Sequence, residues 1–197
     1  MNKQQQKNRR IILLLFAMSV IPFLIAWYLS VNTNWLGGGT NKGELINPPL
    51  TTEFDEFVGY DQFSKENMQE LKGHWVLVNI IPGKQCEQAC REALHKSKQL
   101  RLMMNKDLTR IRRLVLLLQP VEPARASVWW EDDSRLLRSN PQDSLIQKIK
   151  QIRQKMPDGM LLLMDPLGNL MMQYAPGFDP YDVKKDLGKL LRISQIG

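Results

Sequence analysis

The chain has 197 residues, 43% of them hydrophobic and 24% charged, with 27 Lys and Arg against 20 Asp and Glu for a net charge of +7. The length allows one domain of ordinary size, ~100–200 residues, plus an extra segment. The first thirty residues hold four of the cations and no acid, leaving 23 cations against 20 acids elsewhere, so the domain is only mildly basic and there is no case for nucleic acid as a partner.

Residues 1–10 form a basic tail carrying Lys3, Lys7, Arg9 and Arg10. Residues 11–30, IILLLFAMSVIPFLIAWYLS, carry no charge. A run of roughly 20 apolar residues spans a bilayer core as a helix. Pro22 sits mid-span, which membrane helices tolerate, and Trp27 and Tyr28 fall where amphipathic rings favour the interface. Cationic flanks stay on the cytoplasmic side. The expectation is a single-pass protein of the inner (plasma) membrane with its N-terminus inside and its domain in a periplasm-like space. A cleaved signal peptide would have a shorter apolar core and a small-residue cleavage site, and Ala26-Trp27-Tyr28-Leu29-Ser30 is a poor one. Residues 31–50 contain Gly37-Gly38-Gly39, Gly43 and Pro48-Pro49 and read as a linker, flexible first and then extended.

Residues 51–197 alternate in character, with no internal repeat or long low-complexity run. Residues 63–73 read as a loop or short helix. Residues 75–81, WVLVNII, are a continuous apolar run stopped by Pro82-Gly83, the pattern of a buried strand. A helix is expected over residues 86–105, with Ala89, Ala93, Leu94, Leu100 and Met104 on its apolar face. Residues 114–118 are a second buried strand, stopped by Pro120; the preceding Arg110, Arg112 and Arg113 read as a solvated flank. Residues 119–143 read as a loop holding Trp129-Trp130 and the acidic run Glu131-Asp132-Asp133. The aromatic pair suits either a partner-binding edge or a buried tether for that loop. A second amphipathic helix covers residues 144–156 through Leu145, Ile149 and Ile152. Residues 160–164 and 170–174 form a hairpin around the turn sequence Asp165-Pro166-Leu167-Gly168-Asn169. A last helix starts at Asp179, placed to cap it. This order, with a βαβ crossover first, predicts an α/β fold: a thioredoxin-like domain with one N-terminal transmembrane helix.

Cys86 and Cys90 are the only cysteines, and they fall at the first strand-to-helix junction, expected to be exposed and a place where thiols are activated. A thiol in a helix's first turn feels the positive end of the dipole, which lowers its pKa; Lys84 assists and Glu87 opposes. Two helical residues at this spacing have Cβ atoms ~5–6 Å apart, too far for a disulfide, which wants ~3.8 Å. A bridge within the helix therefore requires unwinding. The same spacing lets two thiolates converge on Cu(I). A structural disulfide or two buried thiols are the alternatives, although a disulfide closing so short a loop stabilises little.

The anchor, the linker, GHWVLVNIIPGKQCEQAC and LLLMDPLGNLMMQYAPG resemble the Sco/SenC proteins, membrane-anchored thioredoxin-fold factors for cytochrome c oxidase assembly. The resemblance runs over most of residues 45–194, and the C-x-x-x-C spacing is its distinguishing mark. It implies that Cys86 and Cys90 are the redox pair and the copper ligands, with a respiratory oxidase subunit or assembly factor as partner beside the membrane. The family's third ligand, a histidine before the strand leading into the Asp-x-x-Gly turn, falls near Pro157 here, and no histidine follows His95. Pro157 instead resembles the proline that precedes the third strand in thioredoxins, often cis and facing the cysteines. The expected chemistry is thiol–disulfide exchange through Cys86 and Cys90 with Pro157 beside them. Cu(I) held by the same cysteines is the alternative cofactor reading, and a non-catalytic assembly scaffold a third. His74 precedes the first strand, at the end remote from the cysteines. His95 lies about 140° round the helix from Cys90 at ~100° per residue. Of the ten methionines, only Met156, beside Pro157, is placed where it could face the cysteines, and packing is the favoured reading for it as for the others.

Overall fold

The computed structural model describes residues 3–31, 41–194 and 196, and it separates into two units, Met1–Thr40 and Asn41–Gly197. The first holds helix α1 (Lys3–Val31). Its segment Gln5–Val31 is long and apolar enough to cross a membrane. Pro22 lies within it, and its large apolar side chains, such as Met18 and Phe23, stand exposed. A helix apolar all round suits a lipid environment rather than water. The glycines expected to make the linker flexible, Gly37 to Gly39, lie outside the described residues.

The second unit is built, in chain order, from β1 (Glu44–Thr51), β2 (Phe57–Gly59), α2 (Gln62–Asn67), β3 (Trp75–Ile81), α3 (Gln88–Met103), β4 (Ile111–Leu117), α4 (Pro123–Ser127), β5 (Leu137–Pro141), α5 (Asp143–Ile152), β6 (Leu161–Met164), β7 (Asn169–Tyr174) and α6 (Pro180–Ile193). The strands form one mixed sheet in the order β1-β7-β6-β3-β4-β5-β2. β3, β4 and β5 run parallel, and the remaining pairings are antiparallel.

Central β3 is buried along its whole length, which explains its unbroken apolar sequence. Side chains alternate across a strand. Trp75 and Leu77 therefore join the core with Ala93 and Leu100 of α3 and Val183, Leu187 and Leu191 of α6. Val76, Val78 and Ile80 join the opposite core with Leu145 and Ile149 of α5. The hairpin turn forms as its sequence demands: Asp165 Oδ1 accepts from the Leu167 and Asn169 amides at 2.9 and 2.8 Å, and Gly168 takes φ +94°.

Three expectations change. Residues 44–50, read as linker, form most of edge strand β1, paired with β7 from Glu44↔Gln173 to Thr51↔Asn169. Pro48 and Pro49 are tolerated because an edge strand leaves one side unpaired, and the register shifts between Leu45 and Leu50 around them. Residues 137–141, read as loop, form β5. Its polar sequence is buried because Arg138 Nη1 meets Asp61 Oδ2 at 2.6 Å and the Arg138 amide donates to Ser64 Oγ at 3.0 Å. The arginines before and within β4 are not a solvated flank: Arg112 pairs with Glu70 at 2.6 Å, Arg110 donates to the carbonyls of Leu191 and Ser194, and Arg113 is 4% exposed.

Candidate functional site

β3 ends at Ile81, Pro82 and Gly83 turn the chain, and α3 begins at Gln88 with Glu87 as its N-cap. Cys86 therefore lies in the loop, and only Cys90 is in the first turn. With Glu87 extended (φ −77°, ψ −170°), Cys86 folds back on Cys90. The two form a disulfide with Cα atoms 5.2 Å apart, inside the usual 4.4–6.8 Å range. The unwinding expected for a bridge inside a helix is unnecessary, because Cys86 sits outside it. Arg91 Nε donates to the Cys86 carbonyl at 3.2 Å.

Both cysteines are only 2% exposed, against the exposed junction that sequence position implies. They pack in a cluster with Ile81, Leu94, Val115, Leu117, Ala126, Trp130 and Leu136. Trp130 is the buried tether of the loop between β4 and β5, with Tyr60 and Trp129 edge-on to it at 6.1 and 5.7 Å between centroids.

The loop after α5 meets the same junction. Asp158 Oδ2 accepts from the Cys90 amide at 3.3 Å, placing a carboxylate at the positive end of α3. Burial pushes the Asp158 carboxyl above its ordinary value, with the Glu87 charge adding, against hydrogen bonds from the backbone of Cys90, Glu87 and Gly159. Gly159 packs directly on Ala89 of α3. Pro157 lines a cavity of about 940 Å³ together with Pro82, Lys84, Glu87, Met156 and Asp158. Pro157 and the cysteine loop are thus neighbours in the fold. Its peptide bond is trans; among the described residues the cis bond is Asn47–Pro48.

The other sequence candidates are not brought to the disulfide as ligands. Met156 belongs to the core with Leu145 and Ile149. His95 is exposed, and His74 Nδ1 lies 3.1 Å from the Lys72 carbonyl oxygen. Among the described residues no three His, Cys, Asp or Glu converge on a metal position. In this oxidised state the two sulfurs are bonded to each other, and among the described residues no histidine or methionine joins them in their cluster. Asp158 and the Arg113–Asp133 ion pair escaped sequence reasoning. The available signal was Arg113 itself, one of two cations near the start of a strand whose other residues are apolar, with three acids about twenty residues on.

The family model for the transmembrane-like, thioredoxin-like, C-terminal domain matches residues 75–194. The chain belongs to that family. The match takes in β3 through α6 and so includes the disulfide. No curated protein matches the sequence. Among solved structures, this thioredoxin-like domain is similar to apo Sco1 from Thermus thermophilus at 16% identity and TM-score 0.55, covering 78% of this chain and 99% of that one. BsSco, a member of the Sco family of cytochrome c oxidase assembly proteins described for its disulfide switch, aligns at 17% identity and TM-score 0.52, over 77% of this chain and 100% of that one. Copper-bound ScoI from Arabidopsis thaliana aligns at 14% identity and TM-score 0.50, over 64% and 89%. At these identities the likeness is one of fold, and at that level the Sco-like expectation holds.

Proposed function

We propose that this protein is a membrane-anchored thiol–disulfide exchange factor acting in cytochrome c oxidase biogenesis. The observation that carries it is the Cys86–Cys90 disulfide at the start of α3, closing a loop too short to add much stability. In the reduced protein the Cys86 thiolate attacks a client disulfide. One client sulfur leaves and takes a proton, and a mixed disulfide forms. The Cys90 thiolate then attacks the Cys86 sulfur, closing the bridge and releasing the client as a dithiol. Two electrons pass to the client. Cys86 is assigned the attack because it lies in the loop; Cys90 resolves from the helix. Pro157 lines the adjoining cavity, where an extended client segment would lie. The oxidase setting rests on the Sco-like fold, since BsSco belongs to a family of oxidase assembly proteins.

The test is exchange by the reduced full chain with a disulfide-bonded peptide carrying an oxidase copper-site cysteine pair. Turnover lost in both Cys86→Ser and Cys90→Ser is expected. A Cys86–Cys90 reduction potential below ~−300 mV would mark a static bridge and sink the reading. Cysteine-dependent Cu(I) binding by the reduced chain would replace exchange with metal handling.

A further inference from the structure

We infer that residues 118–136, between β4 and β5, are a lid over the Cys86–Cys90 disulfide, latched at Asp133, which must lift before either sulfur reacts. This rests on the exchange reading, because a bridge that never reacts needs no opening. Three of the residues packed in the disulfide cluster, Ala126, Trp130 and Leu136, come from this segment. Trp130 is 8% exposed and the other two are fully buried. Either sulfur reacts only along a line that an incoming thiolate can reach, and at 2% exposure neither offers one.

The lid has little structure of its own. Its one helix, α4, has five residues, and the remainder is turns. It is held instead by side chains reaching across its borders. The Asp133 carboxylate accepts from Arg113 of β4. Arg113 is itself fixed by the Leu94 carbonyl at 2.8 Å and by Ser97 Oγ at 3.0 Å, and Ser97 donates to Asn79 of β3 at 2.7 Å. Arg138 of β5 donates to the Asp133 carbonyl at 2.8 Å and sits over the Trp130 ring, 5.3 Å from its centroid. Tyr60 donates to the Val121 carbonyl at 2.8 Å, and Lys98 to the Asp132 carbonyl at 2.6 Å. Its internal hydrogen bonds are short-range turn bonds, such as Trp129 to Ala126 and Asp133 to Trp130, and a segment of that kind with a small set of outside attachments opens as a unit below the global unfolding free energy. Asp133 is where two of those attachments meet, so it is the latch.

The experiment uses the oxidised full chain in detergent micelles with dithiothreitol as probe. The probe's two thiols become a cyclic disulfide, and the Cys86–Cys90 bond takes up two electrons and two protons to become two thiols. Quenched maleimide labelling and mass measurement follow the loss of the bridge. Native wild type is expected to reduce at least ~100-fold more slowly than the same chain in concentrated guanidinium, the protection of a local opening. Asp133→Asn should speed native reduction by about tenfold or more, the loss of one charge-assisted hydrogen bond. Trp130→Phe, which keeps an aromatic ring in the cluster, should speed it less, and Lys185→Gln on α6 should leave it unchanged.

Native wild type reducing as fast as the denatured chain overturns the lid. So does a folded Asp133→Asn or Trp130→Phe that keeps the wild-type rate. If Asp133→Asn does not fold, the wild-type ratio and Trp130→Phe decide. Failure of the two readings is distinguishable. A protected disulfide that exchanges with no client peptide keeps the lid and removes the proposed function. Client exchange through an unprotected disulfide keeps the function and removes the lid.

Discussion

Gly159 has φ +80°, and a Cβ there would come 2.6 Å from the Ala89 carbonyl oxygen. The contact seats the Pro157-Asp158-Gly159 loop on the first turn of α3. Left-handed backbone disfavours any L side chain by ~1–2 kcal/mol, and the approach to Ala89 adds to it. Gly159→Ala is therefore expected to lower stability by at least about 1 kcal/mol in urea denaturation, and to loosen the loop that carries Pro157 before it affects the distant β1–β7 edge. The cysteine pair was legible because two lone thiols after an apolar run admit few readings. Asp158 was not, since an acid in a Pro-Asp-Gly turn reads as turn chemistry until the fold brings it to Cys90. Burial of the pair was equally hidden, because its cover comes from Ala126, Trp130 and Leu136, more than thirty residues away.

Elements with continuous apolar runs or clear periodicity, β3, β4, α5, β6, β7 and α6, follow from the sequence. Asp179 caps α6 as expected, accepting from the Tyr181 amide at 2.9 Å. β1 and β5 do not follow, because their pairing is set by polar groups elsewhere. Asp61 shows how. It caps α2 by accepting from the Ser64 amide at 2.8 Å and pairs with Arg138 of β5 at 2.6 Å. Burial would raise the Asp61 carboxyl, but the hydrogen bonds from Arg138 and Ser64 outweigh it and hold the pKa below its ordinary value. The folded state then binds fewer protons than the unfolded state, so this stability is present above the unfolded pKa and is lost as pH falls through the folded one. Asp61→Asn should flatten that acid limb of the stability–pH curve, measured by denaturation midpoints below neutrality. At the other edge, buried Asp186 of α6 accepts from the Lys42 and Gly43 amides at 2.7 and 2.9 Å and from the Tyr174 hydroxyl at 3.2 Å. Burial, with Asp186 next, pushes that hydroxyl up. Asp186→Ala should destabilise the domain by ~2–3 kcal/mol, since amide donors lose their acceptor, with amide exchange rising first in β1.

At the scale of the whole molecule, the chain pairs an apolar helix with a thioredoxin-like domain. The proposed placement has residues 1–10 in the cytoplasm, 11–30 in the inner membrane and the domain on the periplasmic side. A cysteine-free background carrying single reporter cysteines at Gln5 and at exposed Gln147 tests it. An impermeant maleimide added to intact cells should label only the second. Labelling of the first alone would reverse the orientation.

Trp130 shares a cluster with the two sulfurs, and disulfides quench the excited state of a neighbouring indole. Brightening of Trp130 emission when the purified chain is reduced, absent in Trp130→Phe, is therefore the expected label-free optical signature of the bridge opening.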